Sequence, residues 1–377
     1  MADLAVNRVS GSVAGTGSEW SGESPGFSGV DCVAHDGPLA EWDGLLSEFD
    51  DASLPQSAHY SEQTWPGRTL RLLVQSHGRV LGGAIVVIMK SPFLEAGLAY
   101  IKFGPFWRRR GETADFNNYS RIVQALKAEL CDRRGHHMTI IPRPEPTYKA
   151  AIATRLALHD FKVRRKAADP NRYLVKVLDS EAVQSDGLQQ KWRYNLRKSL
   201  KNSLEIVEDN SADGFETFSD LHFMMVGRKQ FRNLDRVGGV PALMETLPTE
   251  MRPRIHLARR HGQAVAGAVV CDLGDTAYYV YGASSREALQ YKAGYALQWS
   301  ILNDLRDRNI KWYDLGGEAE DSGLRQFKSG FVGKTGEAME MLGEHDYWVP
   351  GAGHLVADGI YGIRALMRFA RSRLKVR

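Results

Sequence analysis

The stretch Leu72 to Val87, LLVQSHGRVLGGAIVV, recurs in altered form as His256 to Cys271, HLARRHGQAVAGAVVC. Aligned end to end, the two share a His-Gly pair (His77-Gly78 and His261-Gly262), a Gly-Ala pair (Gly83-Ala84 and Gly267-Ala268) and a valine (Val86 and Val270) in register. In each copy apolar, β-branched runs flank a two-residue turn signal, so each predicts strand, tight turn, strand. A long-range repeat of this kind implies one structural unit used twice.

A second echo follows each copy. Leu130-Cys131-Asp132-Arg133-Arg134 ends one amphipathic helix, and Leu305-Arg306-Asp307-Arg308-Asn309 ends another. Each leads into an apolar strand, Met138 to Ile141 and Trp312 to Leu315. In the first helix Ile122, Ala125, Leu126, Glu129 and Leu130 keep the i, i+3, i+4 rhythm of a single packed face. The order predicts an α/β (α+β) protein of two similar domains in tandem, which suits 377 residues at about 150 per domain. The expected divisions are a flexible Gly/Ser-rich tail over 1–30, a first domain over 31–168, a second over 169–350, and a basic C-terminal helix over 351–377 that packs back on the first domain.

Composition excludes several classes. Hydrophobic residues make up 43% and charged residues 25%, which is ordinary for a globular chain. No apolar run approaches the roughly 18 residues that cross a bilayer, and the opening thirty residues lack the apolar core of a signal peptide. Three scattered cysteines (Cys32, Cys131, Cys271) suit neither a disulfide framework nor a thiolate metal site, and fit a reducing cytoplasm. Gly330 to Thr335 ends like a phosphate loop, but its glycines are too close together for the backbone cradle. The adjacent His136 and His137 would point to opposite faces of a strand, so no metal site is expected.

The net charge is only +4, so its placement matters more than its size. Gln190 to Asn202, QKWRYNLRKSLKN, carries Lys191, Arg193, Arg197, Lys198 and Lys201 with no acid between them. Arg193 and Arg197 share a helical face, and Trp192, Leu196 and Leu200 form the apolar counter-stripe. This is either a solvated face or one turned to phosphates. The last nineteen residues combine Arg364, Arg368, Arg371, Arg373, Lys375 and Arg377 with Ile360, Ile363, Met367 and Leu374. That pattern suits a docking helix with a basic outer face, or one lying on anionic lipid or RNA. The segment Trp312 to Gly317 followed by Gly323 to Lys334 joins a strand to a glycine-bearing loop and a Phe-Lys pair. Such a loop lets backbone approach a ligand closely, and sets a stacking face beside a point charge. Phe327 and Phe331, four apart, would equally serve to pack one helix.

Several of these segments resemble the Fem-type aminoacyltransferases. Gln56-Ser57-Ala58-His59-Tyr60 is similar to the family's Gln-Ser-x-x-Trp opening, with tyrosine for tryptophan, and Tyr100 to Pro105 resembles its Tyr-x-x-x-Gly-Pro turn. Arg193 to Lys198 resembles R-x-x-I-R-K, Arg228 to Phe231 resembles R-x-x-F, and Tyr278 to Ser284 resembles the Tyr-x-Tyr-Gly-Ala-Ser strand. Asp314 to Gly317, then Phe327 to Phe331, resemble the DLGG and FK-x-GF signature. The resemblance covers about residues 50 to 350. It implies two tandem GNAT-like domains with mixed sheets flanked by helices, and the length suits the subtype without a helical-hairpin arm.

The resemblance also implies an activity: moving an amino acid from aminoacyl-tRNA, the co-substrate, to an amine of a UDP-linked peptidoglycan precursor, with no further cofactor. Lys328 is implied as the catalytic ammonium, and Phe327 as a contact of the tRNA 3′ end together with Arg193, Arg197 and Lys198. Arg68, Arg228 and Arg232 are implied as substrate-phosphate ligands, with Tyr281 and Asp314 lining the substrate pocket. The same scaffold also serves peptide-antibiotic pathways, so a small peptidyl acceptor stays open at this stage. So do two other classes, an acyl-CoA N-acyltransferase and a non-catalytic RNA-binding protein. The pyrophosphate loop of the former would fall at Gln290 to Ala296, where Tyr291 stands in the Q/R position. A cytoplasmic monomer, with peripheral membrane contact through the basic C-terminus, completes the expectation.

Overall fold

The computed structural model describes residues 29–91, 93–165, 171–229, 236–317 and 322–374. The tail expected over 1–30 lies outside the described residues except for its last two. The strands are β1 (Val30–Ala34), β2 (Thr69–Ser76), β3 (Arg79–Lys90), β4 (Gly97–Lys102), β5 (His137–Ile141), β6 (Lys162–Arg165), β7 (Asn171–Lys176), β8 (Glu205–Glu208), β9 (Arg254–Arg260), β10 (Gln263–Leu273), β11 (Thr276–Ser284), β12 (Trp312–Gly317), β13 (Glu337–Glu340) and β14 (Glu344–Tyr347). The helices are α1 (Leu39–Leu46), α2 (Ala58–Thr64), α3 (Phe116–Lys127), α4 (Lys149–Leu158), α5 (Glu181–Gly187), α6 (Gln190–Ser199), α7 (Ala212–Lys229), α8 (Val240–Thr246), α9 (Glu287–Gln290), α10 (Ala293–Asp307), α11 (Ser322–Val332) and α12 (Ala352–Leu374).

The strands form two mixed sheets flanked by helices, ordered β1-β2-β3-β4-β5-β14-β6 and β13-β7-β12-β11-β10-β9-β8. The run β1 to β5 answers the run β8 to β12 position by position. In both sheets a His-Gly turn closes the central hairpin, with φ of +49° and +76° at His77 and Gly78 and of +48° and +79° at His261 and Gly262. Positive φ at both central residues matches the right-handed twist of the flanking strands. A helix then carries the chain over to a parallel strand, β4 to β5 across α3 and β11 to β12 across α10. Ile122, Leu126 and Leu130 of the predicted helical face are fully buried in the first core.

The sixth position in each sheet lies outside the shared five-strand run. Beside β12 it is β7, at the junction of the two units; beside β5 it is β14, which returns from the end of the second (His345 opposite Ile140). The chain therefore re-enters the first sheet before residue 350, the boundary expected from the sequence. Strand β14 is four residues long with its two middle residues, His345 and Asp346, buried, too short and too polar to announce a partner in the other half. Helix α12 follows it and lies on β4 and β5, where the Tyr361 hydroxyl meets Thr139 Oγ1 at 2.7 Å.

Among the described residues, two groups of buried side chains help to join the halves. One is an apolar cluster in which Trp42, Phe49 and Phe106 of the first half pack with Leu247, Met251, Leu273 and Tyr278 of the second. The other is a buried ionic cluster at the β10–β11 turn. Arg108 Nη2 donates to Glu145 Oε1 at 3.0 Å and to Asp275 Oδ2 at 2.9 Å, while Arg143 Nη2 donates to Asp275 Oδ1 at 2.7 Å and to Thr276 Oγ1. Asp51 accepts from the amides of Trp107 (2.9 Å) and Arg108 (3.0 Å). Burial pushes the Glu145 carboxyl up from its ordinary 4.5 to about 7; the two arginines oppose this, and the negative charges of Asp275 and Asp51 add to it. Burial also opposes ionisation of Asp275, but Arg143 and Arg108 more than offset it, so its pKa lies below the ordinary value.

A carboxyl with a raised folded-state pKa contributes stability below its unfolded value that is lost as pH rises through the folded one. Urea unfolding at pH 5 and pH 8 is therefore expected to show a smaller stability difference in Glu145→Gln than in the wild type. At the same turn Gly274 has φ of +63°, and a Cβ there would collide with the Asp50 carbonyl. Gly274→Ala is expected to cost about 2 kcal/mol or more, read as a lower midpoint in the same melts.

Candidate functional site

In the second sheet β11 and β12 pair only from Thr276 with Trp312 to Tyr278 with Asp314. Both strands continue past that point, β11 to Ser284 and β12 to Gly317, so the sheet opens between them. In the first sheet the equivalent strands stay paired from Leu98 with His137 to Lys102 with Ile141. The opening starts beside Asp314. This buried carboxylate accepts from Arg172 Nε at 2.7 Å and from the Gly316 amide at 2.8 Å. Gly316 has φ of +83°, and it turns β12 away from β11.

Lys328, on α11, reaches into this bend. Its Nζ donates to the Gly317 carbonyl at 2.9 Å and sits 5.9 Å from the Tyr173 ring centre. Residues 318–321, between the strand and the helix, lie outside the described residues. From the other half comes Phe103, whose ring lies 5.2 Å from the Arg172 guanidinium and 5.5 Å from Lys102 Nζ. The crowded position, and then the Arg172 charge, hold the Lys102 ammonium below its ordinary pKa. Lys328, Asp314–Arg172 and the Lys102–Phe103 edge thus gather groups from both halves along one cleft.

The motif at Gln56-Ser57 holds that edge. Buried Gln56 accepts from the Ile85 amide at 2.8 Å and donates to the Lys102 carbonyl at 2.9 Å, and Ser53 Oγ donates to the Phe103 carbonyl at 2.8 Å. Phe103 itself takes φ of +53°, and the following Gly104-Pro105 bond is cis. A side chain on Gly104 would run into Gln56.

The other predicted residues fall into separate groups. Tyr281 lies past the point where the strands part, its ring 6.0 Å from that of buried His222 on α7. Arg228, further along α7, donates to the Ser284 carbonyl at 2.9 Å, so both belong to the α7–β11 side of the second half. Arg232 lies outside the described residues. Arg68 is exposed at the head of β2. Arg193 and Arg197 line a surface cavity of about 650 Å³ with Asp186, Leu188, Gln190 and Lys334, and Arg193 Nη1 is 3.3 Å from Asp186 Oδ1. Lys198 is exposed, its Nζ 4.7 Å from the Tyr194 ring.

The aromatic pair divides. Phe331 is fully buried and stacks on Trp192 at 4.5 Å, so it is core. Phe327 is half-buried between Trp192 (5.8 Å) and Tyr295 (4.9 Å), at the rim. The same corner closes the N-terminus of α10. Ser199 Oγ donates to the Lys292 carbonyl at 2.7 Å and accepts from the Ala296 amide at 3.3 Å, so an amide that a pyrophosphate would need is already bonded.

Residues 245–352 match the FemAB family. The match runs from the end of α8 to the start of α12 and includes Tyr281, Asp314, Phe327 and Lys328. The chain is 25% identical over 293 residues to the UDP-N-acetylmuramoylpentapeptide-lysine N(6)-alanyltransferase of Weissella viridescens, covering 73% of this chain and 82% of that one. It is 27% identical over 180 residues to the Lipid II:glycine glycyltransferase of Staphylococcus haemolyticus, covering 46% of this chain but only 34% of that one. Its fold is similar to the crystal structure of FemX, with a TM-score of 0.69 over 84% of this chain and 97% of that one at 17% identity. The matched stretch thus spans β9 to β13 of the second sheet together with β14 of the first.

The sequence did not single out Arg172, Lys102 or Phe103 as site residues. The Tyr-x-x-x-Gly-Pro turn marked the right segment for the last two. For Arg172 the only signal was a cation opening a strand that turns apolar at Tyr173. Asp314→Asn removes the charge that pairs Arg172 inside the cleft. It is expected to lower stability by about 1–3 kcal/mol in urea melts, with Arg172→Met plus Asp314→Asn losing less than the two single changes added together.

Proposed function

We propose that the protein is an aminoacyltransferase, which moves an amino acid from aminoacyl-tRNA to an amine on a peptidoglycan precursor in the cytoplasm. Two curated relatives are an alanyltransferase and a glycyltransferase, named for a muramoylpentapeptide and for Lipid II. The observation that carries the reading is Lys328 Nζ, held on the Gly317 carbonyl where β11 and β12 part.

In the proposed reaction the acceptor nitrogen attacks the ester carbonyl of aminoacyl-tRNA. A C–N bond forms, the C–O bond to the ribose breaks, and the proton lost by nitrogen ends on the departing ribose oxygen. A peptide α-amine has a pKa of about 7.7–8.0 and is partly neutral near neutrality, whereas a lysine N6 amine, at about 10.4, attacks only after its ammonium form has lost a proton to solvent. The chain's part is then to align amine and ester and to stabilise the developing oxyanion with the Lys328 ammonium. The bond to Gly317 holds that ammonium in position, and the Asp314–Arg172 pair holds the backbone bend on which Gly317 sits. Phe327 offers a face to the terminal adenine, and the Arg193–Arg197–Lys334 cavity offers cations to the RNA backbone. Tyr281, Arg228, Arg232 and Arg68 take the acceptor side in this reading.

The bonded Ala296 amide disfavours the acyl-CoA alternative, which needs open amides at that helix start. The direct assay combines labelled aminoacyl-tRNA, UDP-linked or lipid-linked pentapeptide and purified protein. Transfer is expected, with ribonuclease pretreatment abolishing it and Lys328→Met lowering kcat roughly 10²-fold with the melting midpoint kept. Wild-type turnover in Lys328→Met would remove the lysine from the mechanism. Activity on acetyl-CoA without RNA would replace the whole reading.

A further inference from the structure

Helix α12 is docked with the wrong side in. Its inner face is polar and aromatic: the His354 ring stacks on His137 at 5.4 Å, Asp358 Oδ1 accepts from Arg164 at 2.7 Å, Tyr361 bonds Thr139, and the Arg364 guanidinium lies 5.4 Å from the Tyr100 ring centre. Its outer face is apolar. Leu355, Ile363, Leu366 and Met367 are 72%, 54%, 70% and 52% exposed, at spacings that fall on one side of a helix. Amphipathic helices of globular proteins ordinarily turn that side inward, and an uncovered apolar patch marks an interaction surface. The β3–β4 connection adds to the exposure, because Phe93 in it is 90% exposed. It descends on the same corner: Ala96 sits beside Gly135, against whose carbonyl Gly353 at the start of α12 is packed.

The charge of the segment selects the occupant. Over Ala352 to Leu374 the sequence has Arg364, Arg368, Arg371 and Arg373 against Asp358 alone, and Lys375 and Arg377 follow. Such a helix repels a second copy of itself and is attracted to an anionic interface. Among the described residues no helix is long and apolar enough to cross a membrane. We propose that α12, together with the Phe93 loop, is a surface that lies on anionic lipid, inserting Leu355, Ile363, Leu366 and Met367 below the headgroups while the net positive charge of the segment draws it to the anionic surface. The proposal concerns binding alone and does not depend on the transfer reaction.

Sedimentation of the 377-residue chain with vesicles tests it, with neither tRNA nor acceptor present. One set of vesicles is phosphatidylcholine alone, and the other contains about one-third phosphatidylglycerol. Binding is expected to be roughly tenfold tighter on the anionic set and to weaken as salt is raised. The exposed double change Ile363→Glu with Leu366→Glu is expected to lower it at least tenfold while circular dichroism and melting midpoint stay unchanged. Phe93→Ser, on a separate loop, is expected to weaken it to a smaller degree. No binding to anionic vesicles, or equal binding by wild type and double variant, overturns the proposal. So does sedimentation velocity that shows a lipid-independent dimer broken by the same two substitutions, since the face then belongs to a second copy.

Discussion

Two arginines of the first half and one aspartate of the second meet out of water, and the cleft depends on that meeting. Arg108 and Arg143 both bond Asp275, on the turn between the strands that bear Tyr278 and Asp272. The Arg143 guanidinium also lies 6.0 Å from the Tyr278 ring, and Tyr278 pairs with Asp314 at the last step before the sheet opens. Charges buried this deeply need their partners, because loss of one strands the other in a medium that solvates it poorly. That is a reason for the two halves to keep one relative position, and the cleft between them one width.

A returning strand works to the same end. The second sheet is built from the consecutive strands β7 to β13, but the first is finished only by β14, which follows the last of them. A tandem repeat joined by a plain linker would leave its halves to drift. Here the returning strand and the shared apolar cluster around Trp42, Phe106 and Tyr278 tie them together. Lys102 and Phe103 can then be held against Arg172, a residue of the other sheet, without a ligand to draw them together.

The asymmetry of the two halves follows from one local difference. Both copies carry the hairpin, the crossover helix and the parallel strand. Only in the second does a glycine at positive φ, Gly316, bend the strand away just past a carboxylate that ties down the bend. The first sheet keeps its parallel pair closed and lends the site a turn, Lys102 to Pro105, rather than an opening. Duplication supplied two frames, and a few residues decided which became the cleft.

The hairpins were legible because a His-Gly turn between alternating apolar runs permits few other structures. The crossover helix was legible from its 3.6-residue rhythm, and the motifs that hold Asp314, Phe327 and Lys328 were legible because each is contiguous in the chain. Local physics, acting within a few residues, sets all of these. What stayed hidden was every pairing between distant segments: β14 with β5, Arg172 with Asp314 and Phe103, Ser199 on the Ala296 amide, and Asp275 between Arg108 and Arg143. A buried ion pair leaves no trace in sequence beyond two charged residues among many. The direction in which α12 faces was hidden for the same reason, since an amphipathic pattern tells that a helix has an apolar side and not which way it points. The repeat, the turns and the charge placement are therefore properties of the sequence alone. The joining of the halves, the opening of one sheet and the outward turn of the last helix belong to tertiary packing, where burial and pairing across the fold decide.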